Sequence, residues 1–440
     1  MARLAGPLVL AELGGMLMVF VDTIMVGRVS PAAIGAVSLG GILFYTVSIF
    51  GAGITLGLDT LVSQSFGAGR LEDCHRSLLS GVYLVFALTP ALMGIVWLEL
   101  PLLRRFGIHP AVLHDVVPFL KALNWSTLPL LLYFVFRRYL QGMNLAKPVM
   151  MALWTANVVN AVGDWILIYG HWGAPPMGAE GSAWSTAAAR VYMAVVLLVV
   201  ILRHDRRHRT GLLKTPLAPD LARIRSLVEL GLPAATQIGV EIGVFAVATA
   251  LIGKLNPAAL AAHQIAMNVA TLTYMVPLGI SAAAAVRVGQ ALGRGDPRAA
   301  AHAGWTAMAL GASFMALAGL GLLLAPRLII RIFTPDADVM KLGVTLLAVA
   351  AAFQLFDGVQ TVSTGALRGA GDTRTPMLTH LVAYWGVGLP LGYFLCFARG
   401  WGAAGLWTGL CVALILIGLA LGLAWKMKVQ AMKVEARVAR

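Results

Sequence analysis

The chain has 440 residues, of which 59% are hydrophobic and only 12% are charged. Soluble domains carry about 25% charged residues, so this composition excludes an ordinary soluble protein and indicates an integral membrane protein. In a soluble protein the net charge of +14 would suggest nucleic-acid binding. Here the basic residues cluster in loops between apolar segments, which favours membrane topology and contact with the lipid bilayer, with no nucleic acid as partner.

Apolar windows long enough to cross a hydrocarbon core, about 20 residues each, fill most of the chain. Breaks at Gly, Pro and charged residues divide them into twelve predicted spans: 6–27, 34–66, 76–99, 116–139, 148–170, 180–203, 226–253, 258–290, 300–324, 342–367, 376–398 and 401–425. The predicted fold class is an all-α integral membrane protein. Lys and Arg are concentrated in alternate loops, which predicts that both termini are cytoplasmic.

The two halves of the chain repeat each other at one offset. Seven Gly, Pro and Gln residues recur without a gap, as Pro7/Pro233, Gly27/Gly253, Pro31/Pro257, Gly53/Gly279, Gln64/Gln290, Gly67/Gly293 and Gly69/Gly295. Each copy holds six spans, an even number, so the copies are parallel repeats and should enclose a central cleft. The predicted domains are an N-lobe (1–203), a basic linker (204–225), a C-lobe (226–425) and a basic tail (426–440), with the linker and tail in the cytoplasm.

Asp22 is the most informative residue, because it lies inside the apolar run of the first span. An ionised carboxylate at membrane depth costs from about 2.5 to 10 kcal/mol or more, so such a residue points to an ion, proton or substrate pathway. Asp164 lies at a similar depth on span five, and Asn160 precedes it by one helical turn. With Thr186 or Ser185 on span six, these side chains offer oxygen ligands for Na⁺, or a carboxylate pair for H⁺.

Glu241 and Asp357 form a second candidate site in the C-lobe, each near the middle of an otherwise uncharged span. Two anionic groups in one lobe suit a cation, a proton or a cationic substrate. The aromatic rings of Phe245, Phe353 and Phe356 could contact a lipophilic cation, and Gln264 is a further candidate for the substrate cleft.

Other polar residues at membrane depth favour structural roles. His263 and His380 are single polar residues on apolar helices, which are more often hydrogen-bonded packing groups than ligands. Arg190 on span six is expected to neutralise a carboxylate. Glu12, Asp59 and Arg287 lie nearer the cytoplasmic ends of their spans, where their side chains can extend to the surface or meet charges of the linker. The sequence contains no P-loop, HExxH or GxSxG motif, so we expect that the protein is not an enzyme and uses no cofactor.

Several segments together resemble the multidrug and toxic compound extrusion (MATE) family, in particular its NorM-like members. They are Pro7 with Val21-Asp22-Thr23-Ile24-Met25-Val26-Gly27-Arg28, Leu58-Asp59-Thr60-Leu61-Val62-Ser63-Gln64-Ser65-Phe66-Gly67-Ala68-Gly69, Gln290-Ala291-Leu292-Gly293, and Gly365-Ala366-Leu367-Arg368-Gly369-Ala370-Gly371-Asp372-Thr373. The likeness covers essentially the whole chain.

The resemblance implies a monomeric secondary antiporter of the bacterial inner membrane that exchanges cationic drugs or dyes for Na⁺ or H⁺. It implies an N-lobe cation site at Asp22, Asn160 and Asp164, and coupling acids at Glu241 and Asp357. Phe353 stands where many members have tyrosine. The alternatives are a flippase for lipid-linked precursors, which would need a more cationic cavity, and a passive cation channel.

Overall fold

The computed structural model describes residues 1–103 and 110–438, and this part of the chain is helical throughout, without β-strands. In chain order the α-helices are α1 (Ala2–Gly27), α2 (Pro31–Ile54), α3 (Gly57–Gly67), α4 (Leu71–Leu103), α5 (Pro110–Asn124), α6 (Thr127–Gly142), α7 (Ala146–Tyr169), α8 (Ala179–His208), α9 (Leu221–Ile252), α10 (Pro257–Gly293), α11 (Pro297–Leu324), α12 (Pro326–Arg331), α13 (Ala337–Gly369), α14 (Arg374–His380), α15 (Leu389–Tyr393) and α16 (Ala403–Val438). π-helical segments at Leu381–Gly388 and Phe394–Ala398 continue α14 and α15 as one span.

Eleven helical segments in the described ranges are long and apolar enough to cross a membrane, and α5 with α6 makes a twelfth. The predicted all-α, twelve-span class is therefore confirmed. Within the predicted linker, 204–225, α8 continues to His208 and α9 begins at Leu221. The segment between these two helices is therefore 209–220. The predicted tail is helical as far as Val438, and its last two residues lie outside the described ranges.

The fourth predicted span is a broken helix pair, with α5 and α6 meeting at 47°. Polar side chains at the break bond to nearby carbonyl oxygens instead of leaving them to the helix ladder. The Ser126 hydroxyl donates to the carbonyl of Leu123, and the Thr127 hydroxyl donates to that of Asn124. The break thereby places the Ser126 hydroxyl inside the protein, where a later helix uses it.

The described residues form two compact units, each of which takes in the start of the other half's first helix. The N unit is Leu10–Ala235, and the C unit is Met1–Val9 with Thr236–Arg440. In the N unit a Cβ on Gly53 would lie 2.6 Å from the Cα of Ala235, and in the C unit a Cβ on Gly279 would lie 2.6 Å from the Cα of Val9. The repeat offset relates Gly53 to Gly279 and Val9 to Ala235, so the same close packing occurs once in each unit.

The repeat also appears in how α2 and α10 begin. Each starts with proline at its first position, where the missing N–H is not needed. The Ser30 side chain caps α2 by accepting from the N–H of Ala33, and the Asn256 side chain caps α10 by accepting from the N–H of Ala259. The sequence repeat is thus matched by local structure.

Two buried ion pairs join α6 to earlier helices of the N unit. Arg137 donates to the Glu12 carboxylate, and Arg138 lies 3.5 Å from the Asp59 carboxylate. The basic partners of Glu12 and Asp59 therefore lie on α6. This pairing satisfies charges that would otherwise be costly in a low-dielectric interior.

Candidate cation and proton sites

Three helices of the N unit bring the predicted oxygen ligands together. Asp22 comes from α1, Asn160 and Asp164 from α7, and Thr186 from α8. All four side chains are buried, with Asn160 and Asp164 fully inaccessible to solvent. The Asp164, Thr186 and Asn160 side chains lie next to the Asp22 carboxyl group. The depth argument from the sequence therefore gives the correct juxtaposition.

Glycine allows α7 and α8 to approach closely at this point. A Cβ on Gly163 would lie 2.5 Å from the Ser185 hydroxyl oxygen, and a Cβ on Gly181 would lie 2.5 Å from the Leu167 carbonyl oxygen. Small residues at such contacts are a common feature of helices packed in lipid. The residue after Gly163 is Asp164, so the close approach fixes the position of the acid site.

The two neighbouring hydroxyl groups of α8 have different partners. Thr186 Oγ1 donates to Asp22 Oδ2 over 3.2 Å. Ser185 Oγ donates to the Asn160 main-chain carbonyl over 2.7 Å and accepts from Asn160 Nδ2 over 3.2 Å. Thr186 is thus the residue that contacts Asp22, while Ser185 orients the Asn160 amide.

Several oxygens at the centre of this cluster accept no well-formed hydrogen bond from the described residues. They are Asp22 Oδ1, Asn160 Oδ1 and both carboxylate oxygens of Asp164. Buried polar atoms are nearly always paired, so four unpaired acceptors in one place indicate a site for a positive ligand. Two adjacent carboxylates with an amide and a hydroxyl oxygen fit a hard monovalent cation or a proton.

The described residues contain no group of three or more His, Cys, Asp and Glu that could hold a metal ion. The Asp22 cluster has two carboxylates, and its other oxygens are neutral. This charge suits Na⁺ better than a divalent ion, which usually takes more carboxylates. Na⁺ binding by Asp22, Asn160, Asp164 and Thr186 remains a prediction.

Arg190 lies near the cluster but forms its contacts elsewhere. Its guanidinium donates to Ser126 Oγ over 2.5 Å and to the Tyr45 hydroxyl over 3.0 Å, and it packs over the Phe44 ring at 4.8 Å. The expectation that it neutralises a carboxylate is met only at longer range, since its charge acts on Asp22 without a hydrogen bond to it. The broken α5–α6 span supplies the Ser126 acceptor.

An apolar pocket of about 430 Å³ opens beside α1 and α7. Its lining includes Leu17, Trp154, Val158 and Trp165, together with Asn157 one turn before Asn160. The Asn157 amide donates to the Gly14 carbonyl over 3.0 Å and so ties α7 to α1. An aromatic apolar surface therefore lies on the same two helices as the acid cluster.

In the C unit, Asp357 is the charged group that acts on Glu241. The Asp357 carboxylate is buried and accepts from Gln360 Nε2 over 2.9 Å. Gln360 in turn contacts His380, so the acid pair continues into a chain of buried polar groups. The sequence interpretation missed this chain, although a glutamine one turn after a buried aspartate on an apolar helix was an available signal.

The predicted aromatic and amide contacts of the C unit differ in exposure. Phe353 is buried and stacks on Trp407 with ring centroids 6.1 Å apart, while Phe245 is half-buried beside Tyr384. Phe356 is half-buried and Gln264 is exposed. Phe245, Phe356 and Gln264 therefore keep exposed surface, whereas Phe353 belongs to the packed interior.

Comparisons with known proteins cover the whole chain. The MatE family model matches residues 7–166 and 233–394, once in each half. A probable multidrug resistance protein NorM from Brucella suis biovar 1 is 37% identical over 433 residues, covering 96% of this chain and 92% of that protein. The multidrug resistance protein NorM of Burkholderia vietnamiensis is 37% identical over 432 residues, covering 97% and 92%.

Solved structures agree on the fold. The crystal structure of the eukaryotic MATE transporter AtDTX14 superposes with a TM-score of 0.87 at 20% identity, covering 99% of this chain and 98% of that one. A MOP superfamily transporter from Pyrococcus furiosus gives a TM-score of 0.86 at 17% identity, covering 98% and 96%. With the two matches to the family model and the bacterial relatives, these results show that the chain belongs to the MatE family of membrane transporters.

Proposed function

We propose that this transporter exports cationic drugs or dyes from bacterial cells in exchange for Na⁺ or H⁺. The cluster of unpaired buried oxygens around Asp22 carries the proposal, because it offers a site for a positive ligand within a membrane helix. The bacterial relatives are named as multidrug resistance proteins, which supports drugs as the exported substrate.

The coupling ion acts by changing the charge of the protein interior. When Na⁺ or H⁺ binds at Asp22 and Asp164, the two carboxylates no longer repel each other, and the interior becomes less negative. A less negative interior holds a cationic substrate less tightly. Binding of the coupling ion and of the drug are therefore mutually unfavourable, which is the condition for exchange.

The substrate side combines apolar surface with negative charge. The pocket lined by Leu17, Trp154 and Trp165 offers aromatic faces to a lipophilic cation, on the helices that carry Asp22 and Asp164. In the C unit, Glu241 and Asp357 lie near the accessible rings of Phe245 and Phe356. Both arrangements suit an organic cation better than an anionic lipid-linked precursor.

The membrane potential contributes energy to such a cycle when more positive charge enters the cell than leaves it. One elementary charge moving through 100 mV yields about 2.3 kcal/mol. We propose that the protein works as a monomer by alternating access in the bacterial inner membrane, with both termini and the linker in the cytoplasm.

Efflux from proteoliposomes tests this function. A fluorescent cationic dye is placed at equal concentration inside and outside the vesicles, and inward gradients of Na⁺ and of H⁺ are imposed in separate experiments. We expect at least one gradient to drive dye out against its own concentration gradient. Ionic current without dye accumulation would instead indicate a channel, and transport of a lipid-linked anion without dye efflux would indicate a flippase.

A further inference from the structure

The buried chain that runs from Asp357 through Gln360 to His380 lies apart from the Asp22 cluster, in the C unit. Asp357 and Gln360 stand one turn apart on α13, and His380 is the last residue of α14, directly before a π-helical segment. His380 and Gln360 are inaccessible or nearly so. π-helical turns are often found at functional sites.

The hydrogen-bond partners of His380 limit which ring nitrogens can carry a hydrogen. Its Nδ1 is 2.7 Å from the Pro376 carbonyl oxygen, which only accepts, so Nδ1 carries a hydrogen. Its Nε2 is 2.8 Å from Gln360 Oε1, which also only accepts. A neutral imidazole has one N–H, so with the Gln360 amide in this orientation the two bonds together require the doubly protonated ring.

Gln360 joins this ring to the carboxylate. Its Nε2 donates to Asp357 Oδ1 over 2.9 Å, while its Oε1 accepts from His380. In this arrangement, which we name the Gln360 bridge, the imidazolium and the Asp357 carboxylate balance each other's charge. Compared with a neutral His380 and an ionised Asp357, the pair then holds one additional proton.

Rotating the Gln360 amide gives a second arrangement with the same heavy-atom positions. The amide oxygen then faces Asp357 Oδ1, so the acid must be protonated and donate. The amide nitrogen faces His380 Nε2, so the imidazole must be neutral and accept. The pair again holds one proton, now on the carboxyl group.

Removing that proton breaks the bridge in either orientation. In the first orientation the Gln360 oxygen would face the lone pair of His380 Nε2, and in the rotated orientation it would face the ionised Asp357 carboxylate. In both cases two acceptors meet with no hydrogen between them. Gln237 on α9 offers a replacement, since its Nε2 lies 3.4 Å from His380 Nε2 and can donate to the neutral ring. Gln237 is one turn before Glu241, so the proton decides whether His380 bonds to α13 or to the helix that carries Glu241.

His263 is a buried histidine whose hydrogen bonds need no additional proton. Trp407 Nε1 donates to its Nδ1 over 3.0 Å, and its Nε2 lies 2.8 Å from Thr249 Oγ1. The Thr249 hydroxyl donates onward to the Phe245 carbonyl. One neutral tautomer satisfies every bond, so His263 is the packing group that the sequence predicted for both histidines.

The titratable groups near this pair include Glu241, on which Asp357 acts. Glu241 on α9 and Tyr274 on α10 act with Asp357 on Tyr384, whose ring centroid lies 5.8 Å from that of His380. On its own helix the charged neighbour is Arg374, six residues earlier and about 9 Å along the axis. On α16, which packs against α14, the stretch 403–425 carries one ionisable side chain, the Cys411 thiol.

We propose that Asp357, Gln360 and His380 form a proton-binding site in which a single proton closes the Gln360 bridge and its loss transfers His380 to Gln237. Asp357 is already one of the coupling acids that the family resemblance implies, and the proposal adds Gln360 and His380 to it; their part in coupling rests on the proposed exchange of substrate for a cation. Gln360 and His380 act here as positioning and proton-holding residues.

Spectroscopic titration of the full chain in lipid nanodiscs tests the site without measuring transport. The ring nitrogens of ¹⁵N-labelled histidine are followed by NMR, with His380→Gln to assign the signal. The protonated carboxyl band is followed by infrared spectroscopy, with Asp357→Asn to assign it. In the wild type we expect the loss of the shared proton to give a single midpoint, read from the histidine nitrogens in the first arrangement, from the carboxyl band in the second, and from both signals where the two arrangements coexist, because the pair titrates as a unit.

Gln360→Leu should split this titration into two separate midpoints, and the control His263→Gln should keep one. Gln360→Asn, a shorter amide, serves as the second variant if the leucine protein does not fold. A His380 ring that carries only the Nδ1 hydrogen at every pH, with Asp357 ionised throughout, would overturn the proposal. So would a Gln360→Leu protein with the wild-type titration.

These outcomes are separable from those of the proposed function. A common midpoint in a protein that shows no gradient-driven dye efflux would refute the exchange function and leave the proton site standing. Dye efflux driven by an H⁺ gradient, with separate or absent titrations of His380 and Asp357, would refute the site and leave the exchange function.

Discussion

The hydroxyl of Thr186 donates to the carboxylate of Asp22 over 3.2 Å and so links α8 to α1. This bond leaves Asp22 Oδ1 without a well-formed partner among the described residues, next to the equally unpaired oxygens of Asp164. Thr186 therefore orients the carboxylate while one oxygen stays available to a cation.

Thr186→Val should weaken cation binding while preserving side-chain volume. A hydrogen bond to a charged group contributes about 1.5–3 kcal/mol, so we expect a loss of cation affinity of roughly tenfold or more. Isothermal titration or cation-dependent thermal stabilisation of the purified protein measures this. Thr186→Ser keeps the hydroxyl and should bind as the wild type does. Equal affinity in the valine and serine proteins would contradict the role of the hydroxyl.

Gly163→Ala should loosen the acid site through sterics. The new Cβ would lie 2.5 Å from the Ser185 oxygen, so Ser185 must rotate away from Asn160 or α7 must shift. Overpacking of this kind costs about 1–3 kcal/mol, which a thermal-unfolding assay in detergent would detect. Gly15→Ala is the matched control, since nothing lies within 4 Å of a Cβ at that position. Equal unfolding temperatures for the two variants would argue against the close contact.

Arg190→Lys should be destabilising even though it keeps the positive charge. Lysine cannot reproduce the two bonds to Ser126 and Tyr45 in their fixed geometry. We expect a lower unfolding temperature and slower transport, with apparent drug affinity little changed because Arg190 does not face the proposed drug surface. Arg190→Met removes the charge as well and should be worse than lysine. A lysine protein as stable as the wild type would show that the charge alone suffices.

Cysteine labelling in intact and permeabilised cells tests the predicted topology. Leu213 in the linker and Trp172 after α7 are both exposed, at 67% and 81%. The three native cysteines are buried and should give little background. A membrane-impermeant maleimide should label Trp172→Cys from outside the cytoplasmic membrane and Leu213→Cys only after permeabilisation. The reverse pattern would invert the proposed orientation.

The sequence predicts the spans and the Asp22 cluster because each depends on local rules. Apolar length sets the spans, and matched depth on spans that run in the same direction places Asp22 beside Asp164. Contacts between residues far apart in the sequence were harder to predict. Nothing in the spacing of Arg190 shows that the α5–α6 break would present Ser126 to it, since that contact joins residues 64 positions apart.

The same limit applies to His380. A single histidine on an apolar helix looks like His263, and the two differ only in which donors and acceptors the fold places around them. Hydrogen-bond direction is a property of the assembled unit, so the sequence alone could not separate a packing group from a proton site. Phe353 is a similar case, because its burial against Trp407 follows from helix packing.

The exchange of dye for cation by Asp22→Asn protein is the most direct test of the account. In proteoliposomes, dye efflux down its own gradient should drive Na⁺ or H⁺ inward in the wild type. Asparagine keeps the shape but loses the charge, so cation entry coupled to dye efflux should be lost. Folding is checked by gel filtration and thermal unfolding. A folded Asp22→Asn protein with wild-type coupled cation entry would contradict the central role of Asp22.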